Sequence, residues 1–201
     1  MDTPLIISVD DHVVEPPDLW TERIPSKFKD RAPRVERDSA KFHFEGGVFS
    51  YEKGVDDGEP CDWWIYDDLI YPFPKLSAAV GFSELDVTPT TFDEIRPGCW
   101  IKSERLADMD AQGVDVQVLS IHTPFFGYHL DAAQGGALAR EVNDEIAAMT
   151  RQWPTRFAGL ATLPMQDTKA AIAELERAVT GLGLKGAELD PIVNGENWDC
   201  L

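Results

Sequence analysis

The pattern of apolar and polar positions changes at about residue 100. Beyond it, β-branched apolar runs alternate with stretches whose apolar residues recur at helical spacing. Together with the first apolar run of the chain, they predict four strands near 5–12, 115–121, 157–163 and 184–189. Strands that are separated by helices and are mostly apolar along their length are typical of a parallel sheet buried on both faces.

Capping residues predict the limits of the helices. Ser103 is expected to cap a helix that ends at Gly113. Asp131 is expected to cap the next helix, and Asp167 or Thr168 the third. The apolar positions of the third helix share one face: Ile172, Leu175, Val179 and Leu182.

The segment 13–100 has a different texture and is interpreted as an insertion after the first strand. Alternating runs linked at Gly46-Gly47 predict a β-hairpin, and runs linked at Asp67-Asp68 suggest a second one. Aromatic side chains are concentrated in the insertion: Trp20, Phe49, Tyr51, Trp63, Trp64 and Tyr66. They could wall a pocket for a planar substrate, but we favour a role in the core, since aromatic residues serve there more often.

The alternation of strands and helices fits either a closed barrel or an open doubly wound sheet. No Gly-x-Gly-x-x-Gly follows a predicted strand, which disfavours a dinucleotide-binding open sheet. No Gly-x-Ser-x-Gly is present either, which argues against a serine hydrolase of the α/β type.

The first strand ends in an Asp-x-His pair, before Pro16 and Pro17 stop it. Residues two apart in a strand point to the same side, so Asp10 and His12 should lie together. A carboxylate oxygen and an imidazole nitrogen side by side make half of a divalent metal site of the zinc or manganese type. In a (β/α)₈ barrel this strand end is where chemistry is located. The alternative is a solvated turn in which Asp10 accepts backbone N–H groups.

Composition indicates one globular domain over residues 1–201, with 43% hydrophobic and 27% charged residues. The net charge of -18 makes nucleic acid and membrane partners unfavourable, because the average field repels phosphates and anionic lipids. Three widely spaced cysteines fit neither a structural zinc site nor a disulfide scaffold and favour the cytoplasm. The sequence shows no secretion signal and no run of apolar residues long enough to span a membrane.

Several segments together resemble the amidohydrolase-related family, which includes aminocarboxymuconate semialdehyde decarboxylase. The segments that carry the resemblance are Ser8–Trp20 (SVDDHVVEPPDLW), Arg105–Asp110 (RLADMD), Val116–Ser120 (VQVLS), Leu163–Asp167 (LPMQD), Gly183–Ala187 (GLKGA) and Val193–Gly195 (VNG). The resemblance implies a metal-dependent (β/α)₈ barrel that decarboxylates or hydrolyses small carboxylated, often aromatic or unsaturated, substrates. It also implies that Asp10 and His12 are metal ligands, with Asp10 where some members have His or Glu.

The residues that resemble the family are expected to form half of a barrel. The family completes its metal site with a His after the fifth strand and an Asp after the eighth, whereas this chain stops at Leu201 after the predicted fourth strand. We therefore expect about four β/α units, with the remaining ligands beyond Leu201. His122, at the end of the second predicted strand, could face the pocket and bind substrate, although a lone loop histidine is more often solvated or hydrogen-bonded.

The resemblance favours decarboxylation over hydrolysis, with zinc as the preferred metal and manganese as the alternative. The third interpretation is a non-catalytic fragment or an assembly module that needs a partner. We expect a homo-oligomer, because the outer edges of the first and fourth strands lack the neighbours that barrel closure would supply.

Overall fold

The computed structural model describes residues 5–46, 48–80, 83–84 and 87–197. The strands are β1 Ile7–Val13, β2 Arg34–Glu45, β3 Val48–Lys53, β4 Glu59–Tyr66, β5 Leu69–Pro72, β6 Val116–Ile121, β7 Phe157–Gly159, β8 Ile192–Val193 and β9 Glu196–Asn197. The α-helices are α1 Leu19–Arg23, α2 Lys102–Gln112, α3 Ala132–Gln152 and α4 Thr168–Glu176, the last continued by a π-helical turn, Arg177–Gly181. Single 3₁₀ turns occupy Ser26–Arg31, Lys75–Ala78, Pro97–Cys99 and Thr123–Phe125.

A parallel sheet in the order β1-β6-β7 contains the first three predicted strands. The fourth predicted strand continues this sheet beyond β7, where Ala161 and Ala187 form an isolated parallel bridge. The backbone N–H of Glu188 donates to the carbonyl of Ala161 at 2.9 Å. The last two strands are shorter than the sequence predicts, because the regular ladder of β7 ends at Gly159 and the fourth run is reduced to this bridge.

The insertion forms a four-stranded antiparallel sheet in the order β3-β2-β4-β5. Both predicted hairpins are present: β2 pairs with β3, and β4 pairs with β5. Gly47 of the first turn lies outside the described residues. In the second turn Asp67 has a φ of 53°, a left-handed conformation that aspartate tolerates better than most residues do.

Two of the predicted N-caps and one predicted C-cap are confirmed. The carboxylate of Asp131 accepts the backbone N–H of Gln134 at 2.9 Å and begins α3. The carboxylate of Asp167 does the same for Ala170 at 3.0 Å and begins α4. Gly113 ends α2 with a φ of 72°, which a residue without a side chain adopts at little cost.

The prediction that Ser103 caps α2 is wrong. The helix begins at Lys102, and its N-cap is Ile101, which makes no side-chain capping bond. The preceding 3₁₀ turn determines this start, because the backbone N–H of Ile101 donates to the carbonyl of Pro97 at 2.7 Å. Ser103 therefore lies inside the first turn.

Aromatic residues join the insertion to the parallel sheet. The ring centroid of Trp20 lies 5.5 Å from that of Trp64 and 4.7 Å from that of Phe125. Four members of the aromatic group are fully buried, which confirms their role in the core: Trp20, Trp63, Trp64 and Tyr66. Phe49 and Tyr51 instead remain partly exposed on the outer strand β3.

The predicted apolar face of α4 is turned outward. Ile172 is 62% exposed, and Leu175 and Val179 are 38% and 41% exposed. Leu182 packs in part against the core. Within the described ranges, none of the helices is long and apolar enough to cross a membrane.

Candidate metal centre

Asp10 and His12 lie at the carboxyl end of β1, and the structure brings their side chains together. Asp10 Oδ1 is 3.4 Å from His12 Nε2. The parallel ladder pairs His12 with Ser120 of β6, after a bulge between Ser8 and Asp11 that gives β1 one extra residue. Bulges of this kind re-aim side chains next to functional sites. The shared direction of Asp10 and His12 that strand alternation predicts is therefore present.

The imidazole of His12 is oriented by a backbone group. Its Nδ1 lies 2.7 Å from the carbonyl oxygen of Ile121, and the hydroxyl of Ser120 is 3.1 Å from the same nitrogen. A carbonyl oxygen can only accept, so the tautomer that satisfies it carries the proton on Nδ1. The lone pair of Nε2 is then available to a cation, as in histidine ligands whose other ring nitrogen is hydrogen-bonded.

Glu188 is a third candidate donor that the sequence analysis did not identify. Its Oε2 lies 3.8 Å from His12 Nδ1. One donor atom each from Asp10, His12 and Glu188 lies within 4.8 Å of the other two. A signal was present in the sequence, since an acidic residue near the end of an apolar predicted strand occupies the position where barrels carry their chemistry.

These three side chains fit a divalent cation. Glu188 Oε2 is buried and has no hydrogen-bond partner among the described residues. A buried carboxylate oxygen without a partner is costly, and a cation would compensate it. The side chain of Asp10 is 84% exposed, so the cluster is open to solvent on that side. Two carboxylates and one imidazole are donors that zinc and manganese both accept.

His122 lies at the end of β6 and is buried, with 8% of its surface exposed. Of the two alternatives to substrate binding, a solvated or a hydrogen-bonded histidine, burial does not fit the first. Burial, and secondarily the charge of His12, lowers the pKa of His122 to about 4. Its Nδ1 has no hydrogen-bond partner among the described residues, and the rings of Tyr71 and Phe125 lie 6.3 and 6.2 Å away. His122 is therefore a neutral imidazole with a free polar atom, and it is not grouped with the metal donors.

Glu15 connects the ends of β1 and β6. Its Oε1 accepts the backbone N–H of His122 at 3.0 Å, while its Oε2 is buried and has no partner in the described part of the chain. Burial raises the pKa of Glu15 to about 8, although the hydrogen bond from His122 acts in the opposite direction. No local pattern identifies this carboxyl, because its contact with His122 spans more than a hundred residues.

Arg105 of α2 holds the backbone at the end of β1 through hydrogen bonds. Its Nη2 donates to the carbonyls of His12 and Cys99 at 3.1 and 3.0 Å, and its Nη1 donates to the Gln117 side chain at 3.2 Å. Burial lowers the pKa of Arg105. The guanidinium thus fixes the backbone of the histidine ligand candidate.

A cavity of about 230 Å³ lies beside β1. Asp10, Asp11, His12 and Arg105 contribute to its lining, together with the 77–80 segment of the insertion. Glu188 and His122 do not line it, so the cavity opens on one side of the candidate metal centre and does not contain the whole of it. Its volume is below the roughly 300 Å³ of typical small-molecule pockets.

Comparison with known proteins gives relatives that match part of the chain. It is 41% identical over 108 residues to 2-amino-3-carboxymuconate-6-semialdehyde decarboxylase of Dictyostelium discoideum, which is 54% of this chain and 30% of that protein. It is 39% identical over 99 residues to gamma-resorcylate decarboxylase of Polaromonas sp., which is 49% of this chain and 29% of that protein. The chain therefore spans about 30% of the length of these curated relatives.

The fold also matches a solved structure over nearly the whole chain. The crystal structure of 5-carboxyvanillate decarboxylase LigW from Sphingomonas paucimobilis superposes with a TM-score of 0.57 at 26% identity, covering 97% of this chain and 45% of that one. The sequence model of the amidohydrolase family matches residues 57–200. This match covers most of the sequence and confirms the resemblance first seen in the motifs, so the chain belongs to the amidohydrolase family.

Proposed function

We propose that this chain carries the metal-binding part of the active site of a decarboxylase for small carboxylated aromatic or unsaturated substrates. The observation that carries the proposal is the convergence of Asp10 and His12 at the carboxyl end of β1. The names of the relatives support the reaction: two of them are decarboxylases of a carboxymuconate semialdehyde and of a resorcylate.

Asp10 and His12 are the proposed metal ligands. Their donor atoms are 3.4 Å apart, which equals the edge of a tetrahedral site whose bonds are about 2.1 Å long. A divalent cation bound there would polarise a substrate carboxylate or lower the pKa of a bound water. We propose zinc, because an imidazole suits zinc well, and manganese is the alternative that the two carboxylates would accept.

His122 is the proposed substrate-binding residue. With its low pKa the imidazole of His122 stays neutral at physiological pH, so it can give or accept one hydrogen bond without placing a positive charge near His12. Its unpartnered Nδ1 is available for that bond. The neighbouring rings of Tyr71 and Phe125 would exclude water from the same region.

The proposed architecture is a (β/α)₈ barrel of which this chain forms about four β/α units, with the residue 13–100 insertion after β1. Its support is the four parallel runs, joined in the order β1, β6, β7 and the Ala187 bridge. Hydrolysis is the less favoured reaction, because both of these curated relatives are named as decarboxylases. The alternative to an enzyme is a non-catalytic fragment or assembly module.

We also propose that the protein is a cytoplasmic homo-oligomer. The outward apolar face of α4 supports association, because exposed apolar residues that lie close together are typical of interaction surfaces. Cys61 and Cys99 are free and buried, which fits a reducing compartment, whereas Cys200 lies outside the described residues.

A decarboxylation assay with added zinc or manganese tests the reaction. Gamma-resorcylate and 5-carboxyvanillate serve as probes, and released carbon dioxide is the readout. Metal-dependent release by the wild-type chain would support the reaction, and H12A should abolish it. H43A is the matched control, since His43 pairs with Glu52 on the insertion sheet. Metal binding with no turnover of either probe would favour the assembly-module alternative, and turnover by H12A would exclude the proposed site.

A further inference from the structure

We propose that Glu188 is the third protein ligand of the metal centre, so that this chain by itself holds a divalent cation through three side chains. The inference rests on the proposed function, because it adds a donor to the site of Asp10 and His12. It assigns a function to the fourth parallel run, for which the sequence analysis identified no site residue.

The first argument is that the position of Glu188 is fixed by the backbone. Its N–H donates to the carbonyl of Ala161 at 2.9 Å, next to the parallel bridge between Ala161 and Ala187. Donors on paired strand segments are held more firmly than donors on loops, as a metal site requires. The side chain is one quarter exposed, so a cation can reach it from solvent.

The second argument is the state of its carboxylate. Glu188 Oε2 is buried and accepts no hydrogen bond among the described residues. Its ion-pair contact within those residues is the ring of His12, at 3.8 Å. That distance is beyond hydrogen-bond range, and the nearer nitrogen, Nδ1, is already 2.7 Å from the carbonyl of Ile121. An ion pair with His12 therefore does not account for the buried oxygen, whereas a cation between the two side chains does.

The third argument is the geometry of the three donors. One atom from each of Asp10, His12 and Glu188 lies within 4.8 Å of the others. Ligands bound to one cation at about 2.1 Å stand no more than about 4.2 Å apart, so small rotations of the side chains bring all three into range. Since Asp10 is mostly exposed, its carboxylate is free to make this adjustment.

Equilibrium dialysis of the wild-type chain and four variants against Mn²⁺ and Zn²⁺ tests the inference, with the electron paramagnetic resonance of bound Mn²⁺ as a second readout. E188Q removes the charge and keeps the shape, and E188D keeps the charge but shortens the side chain. E176Q is the matched control, because Glu176 is an exposed acid at the end of α4. H12A reports on the proposed function separately.

We expect one bound cation per chain in the wild type and E176Q, and affinity at least about tenfold weaker in E188Q and E188D, since even residues that only orient ligands cost that much. The resonance of bound Mn²⁺ should also change in E188D. If E188Q and E188D bind like the wild type while H12A does not, Glu188 is not a ligand and the proposed function stands. If the wild-type chain binds no cation, both proposals are wrong.

Discussion

His12 and Glu188 face each other at 3.8 Å although their strands are not neighbours. β6 and β7 separate β1 from the fourth parallel run, so three inter-strand spacings lie between them, about 14 Å in a flat sheet. A contact over that width requires the sheet to curve towards the side on which both side chains lie. This curvature is what an arc of a barrel requires.

The buried carboxyl of Glu15 should make stability fall as pH rises towards 8. Its pKa is about 8 in the folded chain and near 4.5 when unfolded, so between these values the folded chain binds more protons. The pKa of His122 is lowered to about 4, so its contribution rises with pH only up to about 6.5 and is constant above that. The loss between pH 6.5 and pH 8 therefore reports on Glu15.

We expect the wild type to lose about 1–2 kcal/mol of unfolding free energy over this interval, and E15Q to lose much less. Urea unfolding at the two pH values measures the difference. Glutamine keeps an oxygen for the backbone N–H of His122, so the fold should persist. An equal loss in both proteins would mean that Glu15 is not protonated when buried.

Replacement of Arg105 by methionine should destabilise the fold. The change removes the guanidinium donors of the carbonyls of His12 and Cys99, of which Cys99 keeps the backbone N–H of Val14 as a partner, at a cost of about 1–3 kcal/mol. Chemical denaturation measures this cost. R34M provides the same substitution at an exposed arginine that pairs with Glu36, and it should change stability by less than about 0.5 kcal/mol. Equal effects of the two substitutions would contradict the role of Arg105.

Gly159 should not tolerate alanine. A Cβ at this position would meet the Ile146 side chain of α3 at 2.4 Å, so the helix would have to move away from β7. We expect a loss of about 1–3 kcal/mol, typical of overpacking. G186A is the control on the neighbouring run, where the added Cβ would meet the Leu160 side chain at 3.8 Å. Thermal unfolding of both variants compares them, and similar melting temperatures would show that α3 adapts freely.

The outward face of α4 should govern self-association. We expect I172D to shift the protein towards smaller species in sedimentation equilibrium, because a carboxylate at the centre of an apolar interface must be desolvated. V48D places the same charge on β3, where Val48 is 67% exposed, and should have no such effect. A wild-type chain that is already monomeric at all concentrations would refute the proposed homo-oligomer.

Local signals predicted the parts of the structure that depend on near neighbours. The Asp131 and Asp167 caps and the two hairpins follow from hydrogen bonds and turns within a few residues. Ser103 failed as a cap because a preceding turn, not the side chain, determines where α2 begins.

The candidate site was only partly predictable, because some of its contacts join residues that are distant in the sequence. Asp10 and His12 are two residues apart and share a strand, so alternation was enough to place them together. The end of the fourth predicted strand marked the neighbourhood of Glu188, but its contact with His12 joins distant segments, and no local pattern encodes it. The same is true of the contact between Glu15 and His122. The burial of His122 likewise depends on the insertion, whose Tyr71 lies next to its ring.

The bulge in β1 lies between Ser8 and the proposed ligand His12, and it includes the other proposed ligand, Asp10. Val9 and Asp10 together occupy the length of ladder that Val118 occupies alone, and pairing resumes at Asp11 and His12. Deletion of Val9 would let a regular ladder form, in which Asp10 pairs with Val118 while His12 stays opposite Ser120. Changes in length before Ser8 should accordingly be absorbed upstream, so a tag fused to the amino terminus should leave cation affinity unchanged.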